Sequence, residues 1–141
     1  MFGECLENVR TRTPLIHNIT NYVTVNDVAN CILAIGASPI MADDIAEAAD
    51  ITSISKALVI NMGTLNVRTV ESMVAAGKKA NELGVPVVFD PVGAGASNFR
   101  NETAHLILLI SKNQPISPIP KHLLSSRLTA YIFIQRLFLL T

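Results

Sequence analysis

The sequence predicts an α/β protein built on a largely parallel sheet, and three observations carry that reading. Short unbroken apolar runs alternate with amphipathic stretches, glycines stand where the amphipathic stretches stop, and polar residues gather just after the apolar runs. A run without polar alternation suits a strand covered on both faces, and a helix between two such strands favours a right-handed parallel crossover.

Residues 2 to 11 fit a short helix, which Pro14 breaks before the extended run Pro14-Leu-Ile-His-Asn-Ile. From Thr20 onward Val23, Val28, Cys31, Ile32 and Ile35 recur mostly three and four apart, predicting a helix that Gly36 ends. Cys31 is expected inside, as packing on the apolar face. Ser38-Pro-Ile-Met reads as a strand edge, and Asp43 and Asp44 suit the N-terminus of a helix running through Ile54. Ala57-Leu-Val-Ile-Asn-Met is a second buried run. An amphipathic helix spans Asn66 to Leu83 and stops at Gly84, and Val85-Pro-Val-Val-Phe-Asp is the next strand. The order is β-α-β-α-β.

The 141 residues suffice for one domain, and an apolar content of 50% excludes whole-chain disorder. Eleven basic side chains balance eleven acids, so no bulk field is available to hold nucleic acid or an acidic membrane, and neither partner is expected. Two cysteines, Cys5 and Cys31, and the scattered His17, His105 and His122 offer no disulfide framework or zinc spacing. The chain opens without the basic start and apolar core of a secretory signal, so a cytoplasmic location is expected.

The charge total hides an asymmetry. Residues 1 to 102 hold all eleven acids, whereas residues 103 to 141 hold four basic residues and no acid. Pro115, Pro118 and Pro120 crowd together there, followed by Tyr131, Phe133 and Phe138. A boundary near residue 110 is expected, dividing a 1–110 α/β portion from a 111–141 tail, irregular from Ser111 to Pro120 and then at most an amphipathic stretch. Such a tail is what a reading-frame shift or a misplaced gene end would produce.

In an open parallel sheet, ligands bind beyond the carboxyl ends of the strands. Three polar clusters fall there: His17-Asn-Ile-Thr-Asn21, Asn61-Met-Gly-Thr64 and Asp90-Pro-Val-Gly-Ala-Gly95. Asp90, at the exit of a buried strand, suits a magnesium-bound water or the orientation of phosphates, with Gly93 and Gly95 letting a ligand approach backbone N–H groups. A strand-end acid capping the next turn reads the same way. Asn18, Thr20 and Asn21 suit either a small polar ligand or helix capping. Met41 suits either a flat apolar ligand or the core. His17 shows no carboxylate or hydroxyl partner at fixed spacing, so no triad is built on it.

Four blocks carry a resemblance: Pro14-Leu-Ile-His-Asn-Ile-Thr-Asn21, Ala34-Ile-Gly-Ala-Ser-Pro-Ile-Met41, Leu58-Val-Ile-Asn-Met-Gly-Thr-Leu65 and Gly84-Val-Pro-Val-Val-Phe-Asp-Pro-Val-Gly-Ala-Gly-Ala96. With Phe99-Arg and Glu102-Thr-Ala after them, they resemble the hydroxyethylthiazole kinases of thiamine biosynthesis and salvage, from about Leu6 to about Leu109. The resemblance implies a ribokinase-like three-layer α/β/α fold, here truncated, often assembled as a homotrimer with sites between subunits. It implies phosphorylation of the primary alcohol of 4-methyl-5-(2-hydroxyethyl)thiazole by ATP with Mg2+. Met41 matches the thiazole-binding methionine, Asn21 the asparagine beside it, and Asp90 an acid near magnesium and the phosphates.

The departures are equally specific. Where the family carries Ile-Arg-Gly-Asn, whose arginine contacts ATP, this chain has Gln114-Pro-Ile-Ser-Pro-Ile-Pro. It has no counterpart of the later ATP-binding threonine, nor of the Gly-Ala-Gly-Cys segment with its anion hole and general-base cysteine. No general base and no ATP-binding residue is therefore assigned, and these residues alone are expected to be inactive as a kinase. The alternative is a non-catalytic thiazole-binding or assembly module. A dinucleotide-binding domain on Gly93-Ala-Gly95 lacks the third glycine and the ribose-binding acid. Half a doubly wound sheet is also expected to aggregate or to depend on a partner.

Overall fold

The computed structural model describes residues 2–110 and 117–118. Five helices and five strands alternate: α1 (Phe2–Arg12), β1 (Leu15–Ile19), α2 (Val25–Ala34), β2 (Ser38–Ile40), α3 (Ala48–Ile54), β3 (Ala57–Asn61), α4 (Val67–Leu83), β4 (Val87–Asp90), α5 (Asn98–Ile110) and β5 (Ser117–Pro118). The sheet order is β2-β1-β3-β4-β5, and every pairing is parallel. β1 lies between β2 and β3, so the chain reverses its direction of travel across the sheet after β2. The expected irregular run and amphipathic stretch of the tail lie outside the described residues, apart from β5. That two-residue strand stands at the end of the described sheet order, a position that accommodates a proline, which cannot donate to a ladder.

Each inner strand serves two cores, which is why its sequence is continuously apolar. Along β3 and β4, Leu58, Ile60, Val87 and Phe89 join Met73, Ala76 and Ala80 of α4 and Ala104 and Ile107 of α5. The alternate residues Ala57, Val59 and Val88 turn to the other face and pack with Val9 of α1, Ile16 of β1 and Ile32 of α2. The result is three layers, with α3, α4 and α5 on one face of the sheet and α1 and α2 on the other. Phe89, Ile60 and Ile19 are fully buried, and each contributes about 1.5–3 kcal/mol through removal of its side chain from water. Among the described residues no helix is long and apolar enough to cross a membrane.

The structure departs from the sequence reading at two helix starts and one helix face. α2 begins at Val25 rather than Thr20, because the Asn21 Oδ1 accepts from the Thr24 N–H at 3.0 Å and holds 21–24 as a turn. α3 begins at Ala48. Asp44 spends its carboxylate on the Ala46 N–H at 2.9 Å, shaping a turn before the helix, and Asp43 accepts from the Tyr22 hydroxyl. Cys31 is exposed, not packed inside, and Val23 is 86% exposed. α2 is short and turns only the Ile32 side fully inward, so helical spacing overstated the width of its buried face.

Two glycines that end helices differ in their surroundings. Gly36 has φ +95°, and a Cβ there would lie 2.6 Å from Arg10 Cγ and 3.0 Å from Arg10 Cα, whereas Gly84, at φ +71°, has nothing within 4 Å. Gly84→Ala is expected to cost about 1–2 kcal/mol, the left-handed penalty alone. Gly36→Ala should cost at least about 1 kcal/mol more, because α1 must move. Urea unfolding of the two variants beside the parent chain checks the difference.

Candidate functional site

The three polar clusters stand at the carboxyl ends of parallel strands, in the spatial order Asn21 after β1, Asn61 ending β3 and Asp90 ending β4, with Met41 beside them after β2. Asn61 and Asp90 are register partners and share the sheet face that carries Val59 and Val88. Asp90 is 2% exposed and Asn61 7%. The Asn61 Nδ2 donates to Asp90 Oδ2 at 2.6 Å, while its Oδ1 accepts from Asn21 Nδ2 at 3.1 Å and from the Gly63 N–H at 2.8 Å. One amide therefore links the asparagine and the acid singled out by sequence, across the ends of three strands. Sequence reasoning placed Asn61 in a cluster without giving it this role. Its position opposite Asp90, at the ends of two runs of similar length, is the signal that could have found it.

Gly63 explains how Asn21 and Asn61 come so close. A Cβ on residue 63 would lie 2.8 Å from Asn21 Cβ and 2.9 Å from Asn61 Oδ1. The loops after β3 and β4 are fastened by Arg100 of α5, whose guanidinium donates to the carbonyls of Met62 at 2.5 Å, Gly63 at 2.8 Å and Val92 at 2.8 Å. A planar fork suits three carbonyls on two loops in a way that a lysine ammonium cannot match. The turn after Asp90 departs from expectation. The N–H groups of Ala94, Gly95 and Ala96 donate to Pro91 O, Asn101 Oδ1 and Gly93 O, so they close the turn and do not face a ligand. Gly93 and Gly95 serve the bend itself, with φ +72° and +97°.

Met41 is half-buried, in the segment between β2 and α3, and does not join the hydrogen-bonded chain. Of the two roles left open by its sequence, Asn21 takes the turn-shaping one through Oδ1 at the entry to α2, and its Nδ2 reaches Asn61. Asn18 is 1% exposed and donates from Nδ2 to Ile16 O at 2.8 Å. His17 has partners that sequence spacing did not reveal. Its Nδ1 lies 2.9 Å from Thr52 Oγ1 on α3, and its Nε2 lies 2.7 Å from Ala42 O. Burial pushes its pKa down, opposed by the Ala42 carbonyl and the charge of Glu47. At the rim, Tyr22 donates its hydroxyl to Asp43 and accepts a long contact from Arg68 at 3.5 Å, and the Asp43 bond raises the phenol's pKa.

A cavity of about 470 Å³ opens at the opposite end of the sheet, among Arg12, Pro14, Ile54, Lys56, Gly84 and Pro86. The C-terminal ends of α1, α3 and α4 converge there, and the two cations sit where helix dipoles favour positive charge. Among the described residues no group of three or more His, Cys, Asp and Glu side chains is arranged to hold a metal ion.

Asn61→Asp places a second carboxylate beside buried Asp90, so the pair retains a proton in the folded state. The variant is expected to lose roughly 3 kcal/mol or more at pH 7 and to recover part of it as the pH falls through the carboxylate range, more steeply than Asn61→Leu, which removes a donor from Asp90 but adds no second charge. Chemical denaturation between pH 4 and 8 reads this directly. For His17 the folded state favours the neutral ring, so unfolding takes up a proton at acid pH. Its contribution is fully present above about pH 6.5 and is lost as the pH falls towards the lowered folded pKa, and His17→Gln should flatten that slope.

Comparison with known proteins gives this arrangement a family. The model of the hydroxyethylthiazole kinase family matches residues 6–117. The chain is 74% identical over 106 residues to a hydroxyethylthiazole kinase of Clostridium beijerinckii, covering 75% of this chain and 38% of the relative. It is 76% identical over 103 residues to one of Ruminiclostridium cellulolyticum, covering 73% and 38%. The hydroxyethylthiazole kinase structure from Pyrococcus horikoshii superposes with a TM-score of 0.78 at 40% identity, covering 97% of this chain and 57% of that one. The chain thus spans well under half the length of the curated relatives it matches. The fold is the α/β/α arrangement of the ribokinase-like kinases, and the chain belongs to the hydroxyethylthiazole kinase family.

Proposed function

We propose that this chain supplies the thiazole side and the acid of a site that transfers the γ-phosphoryl group of ATP, with Mg2+, to the primary alcohol of 4-methyl-5-(2-hydroxyethyl)thiazole. The observation that carries the reading is the hydrogen-bonded chain Asn21–Asn61–Asp90 across three strand ends, in a member of this kinase family. Met41 lies against the ring through its polarisable sulfur, and Asn21 offers the polar contact beside it. Asp90 is the residue that would hold the metal, directly or through water. A single buried carboxylate, steadied by the Asn61 amide, fits an ion that takes one or two protein carboxylates and completes its shell with water and phosphate oxygens. That ion neutralises phosphate charge, which together with positioning is most of what phosphoryl transfer asks of a protein.

These 141 residues carry no counterpart of the ATP-contacting arginine and threonine or the anion-hole and general-base segment. On their own they bind the thiazole alcohol without phosphorylating it. The division near residue 110, a cytoplasmic location and homotrimeric assembly belong to the same reading. Val23 and Val67, 86% and 67% exposed, flank the Tyr22–Arg68 contact at the rim and offer apolar surface for a neighbouring subunit. A non-catalytic thiazole-binding or assembly module is what remains of this proposal if nothing beyond these residues supplies the phosphoryl-transfer groups.

Calorimetric titration with 4-methyl-5-(2-hydroxyethyl)thiazole tests binding, and 31P NMR with MgATP tests transfer. Saturable binding weakened about tenfold by Met41→Ala or Asn21→Ala, with no phosphate ester formed, is the expected result. Absence of binding, or ester formed by the purified chain, overturns the proposal.

A further inference from the structure

We propose that His17 is the positioning residue for Met41: its Nε2–H donates to the Ala42 carbonyl and fixes the segment that carries Met41 against β1, the strand that leads into Asn21. The inference rests on the assignment of Met41 and Asn21 to the thiazole alcohol. It starts from a shortage of backbone bonds. β2 has three residues, its central residue Pro39 has no N–H to donate, and its register with β1 ends at His17 opposite Ile40. Residues 41 to 44 then run without regular structure to the turn before α3. Met41 has a flexible side chain, so its placement depends on a backbone held by something other than the sheet.

The imidazole takes over where the ladder stops. Its Nε2 is 2.7 Å from the oxygen of Ala42, the residue after Met41, and its Nδ1 is 2.9 Å from Thr52 Oγ1 in α3. A carbonyl oxygen only accepts, so the neutral ring carries its proton on Nε2, and Nδ1 is left to accept from the Thr52 hydroxyl. That hydroxyl has a single proton, for which Ala48 O at 2.8 Å is a second acceptor, so it is the Ala42 carbonyl, able only to accept, that selects the tautomer. His17 is fully buried, and water does not compete for either bond. One ring thereby ties β1, the Met41–Ala42 segment and α3 together at fixed spacing.

The experiment uses the full chain with methyl-13C methionine and 15N histidine, each signal assigned by single substitution. In the parent chain at pH 7, His17 is expected to show a slowly exchanging Nε2–H and an unprotonated Nδ1; the opposite tautomer overturns the proposal. In His17→Gln, the Met41 methyl resonance is expected to move while those of Met62 and Met73, both buried in the core, hold, and affinity for the thiazole alcohol falls roughly tenfold or more. Thr52→Val perturbs the same interior but keeps the Ala42 bond, so it should leave the Met41 signal and the affinity within about twofold of the parent. Equal effects from the two variants, or an unmoved Met41 signal in His17→Gln, mean that the ring acts only as packing, and the proposal fails. If His17→Gln does not fold, the parent-chain tautomer and Thr52→Val decide the matter. If the parent binds no thiazole alcohol, the assignment of Met41 and Asn21 fails, while the tautomer and methyl signals still test the link between His17 and Met41.

Discussion

The Asn61 amide is the interaction on which the site end of this molecule depends. A carboxylate that is 2% exposed is costly unless donors face it, and Asn61 provides one at 2.6 Å while its own oxygen is occupied by Asn21 and Gly63. The register that sets Asn61 opposite Asp90 follows from the parallel pairing of β3 and β4, which the two-faced burial of their apolar side chains fixes. A slip of one residue would turn every inward side chain to the other core and separate the amide from the acid. Packing and polar geometry therefore specify the same alignment.

Around that pair the loops are held by side chains more than by backbone. Arg100 joins the turns after β3 and β4 through three carbonyls, and Tyr22 joins the start of α2 to Asp43 ahead of α3. Each tie spans segments distant in sequence, so the strand ends form one assembly in which displacement of a single loop is felt by its neighbours. Helices α4 and α5 give this assembly its rigid backing, since both bury their inner faces in the larger core.

Much of the architecture was legible because burial on two faces leaves a strong mark. Ala57–Asn61 and Val87–Asp90 are read as strands from their unbroken apolar runs, and Asn66 and Gly84 announce the ends of α4, where the structure shows a capping box and a left-handed cap. The failures have a common cause. Cys31 and Val23 were placed inside by spacing, which records periodicity but not how much of a helix its neighbours cover. The bonds of His17 to Thr52 and Ala42, of Asn61 to Asn21 and Asp90, and of Arg100 to two loops all connect residues at least eight positions apart. Which distant groups meet is settled by topology, so no local pattern announces it. The clustering of polar residues at strand ends was visible, but the wiring within the cluster was not.

The missing side chain at residue 63 bears on how such a site can change. With Asn21 Cβ and Asn61 Oδ1 already within 3 Å of where a Cβ would stand, the middle of the cluster admits no added atom. Variation that alters ligand shape must then enter from the periphery, at the half-buried Met41 or the exposed Tyr22 and Val23, where a new side chain displaces solvent instead of its neighbours. The centre is closed to drift, and diversification of specificity in a protein of this design is confined to its border.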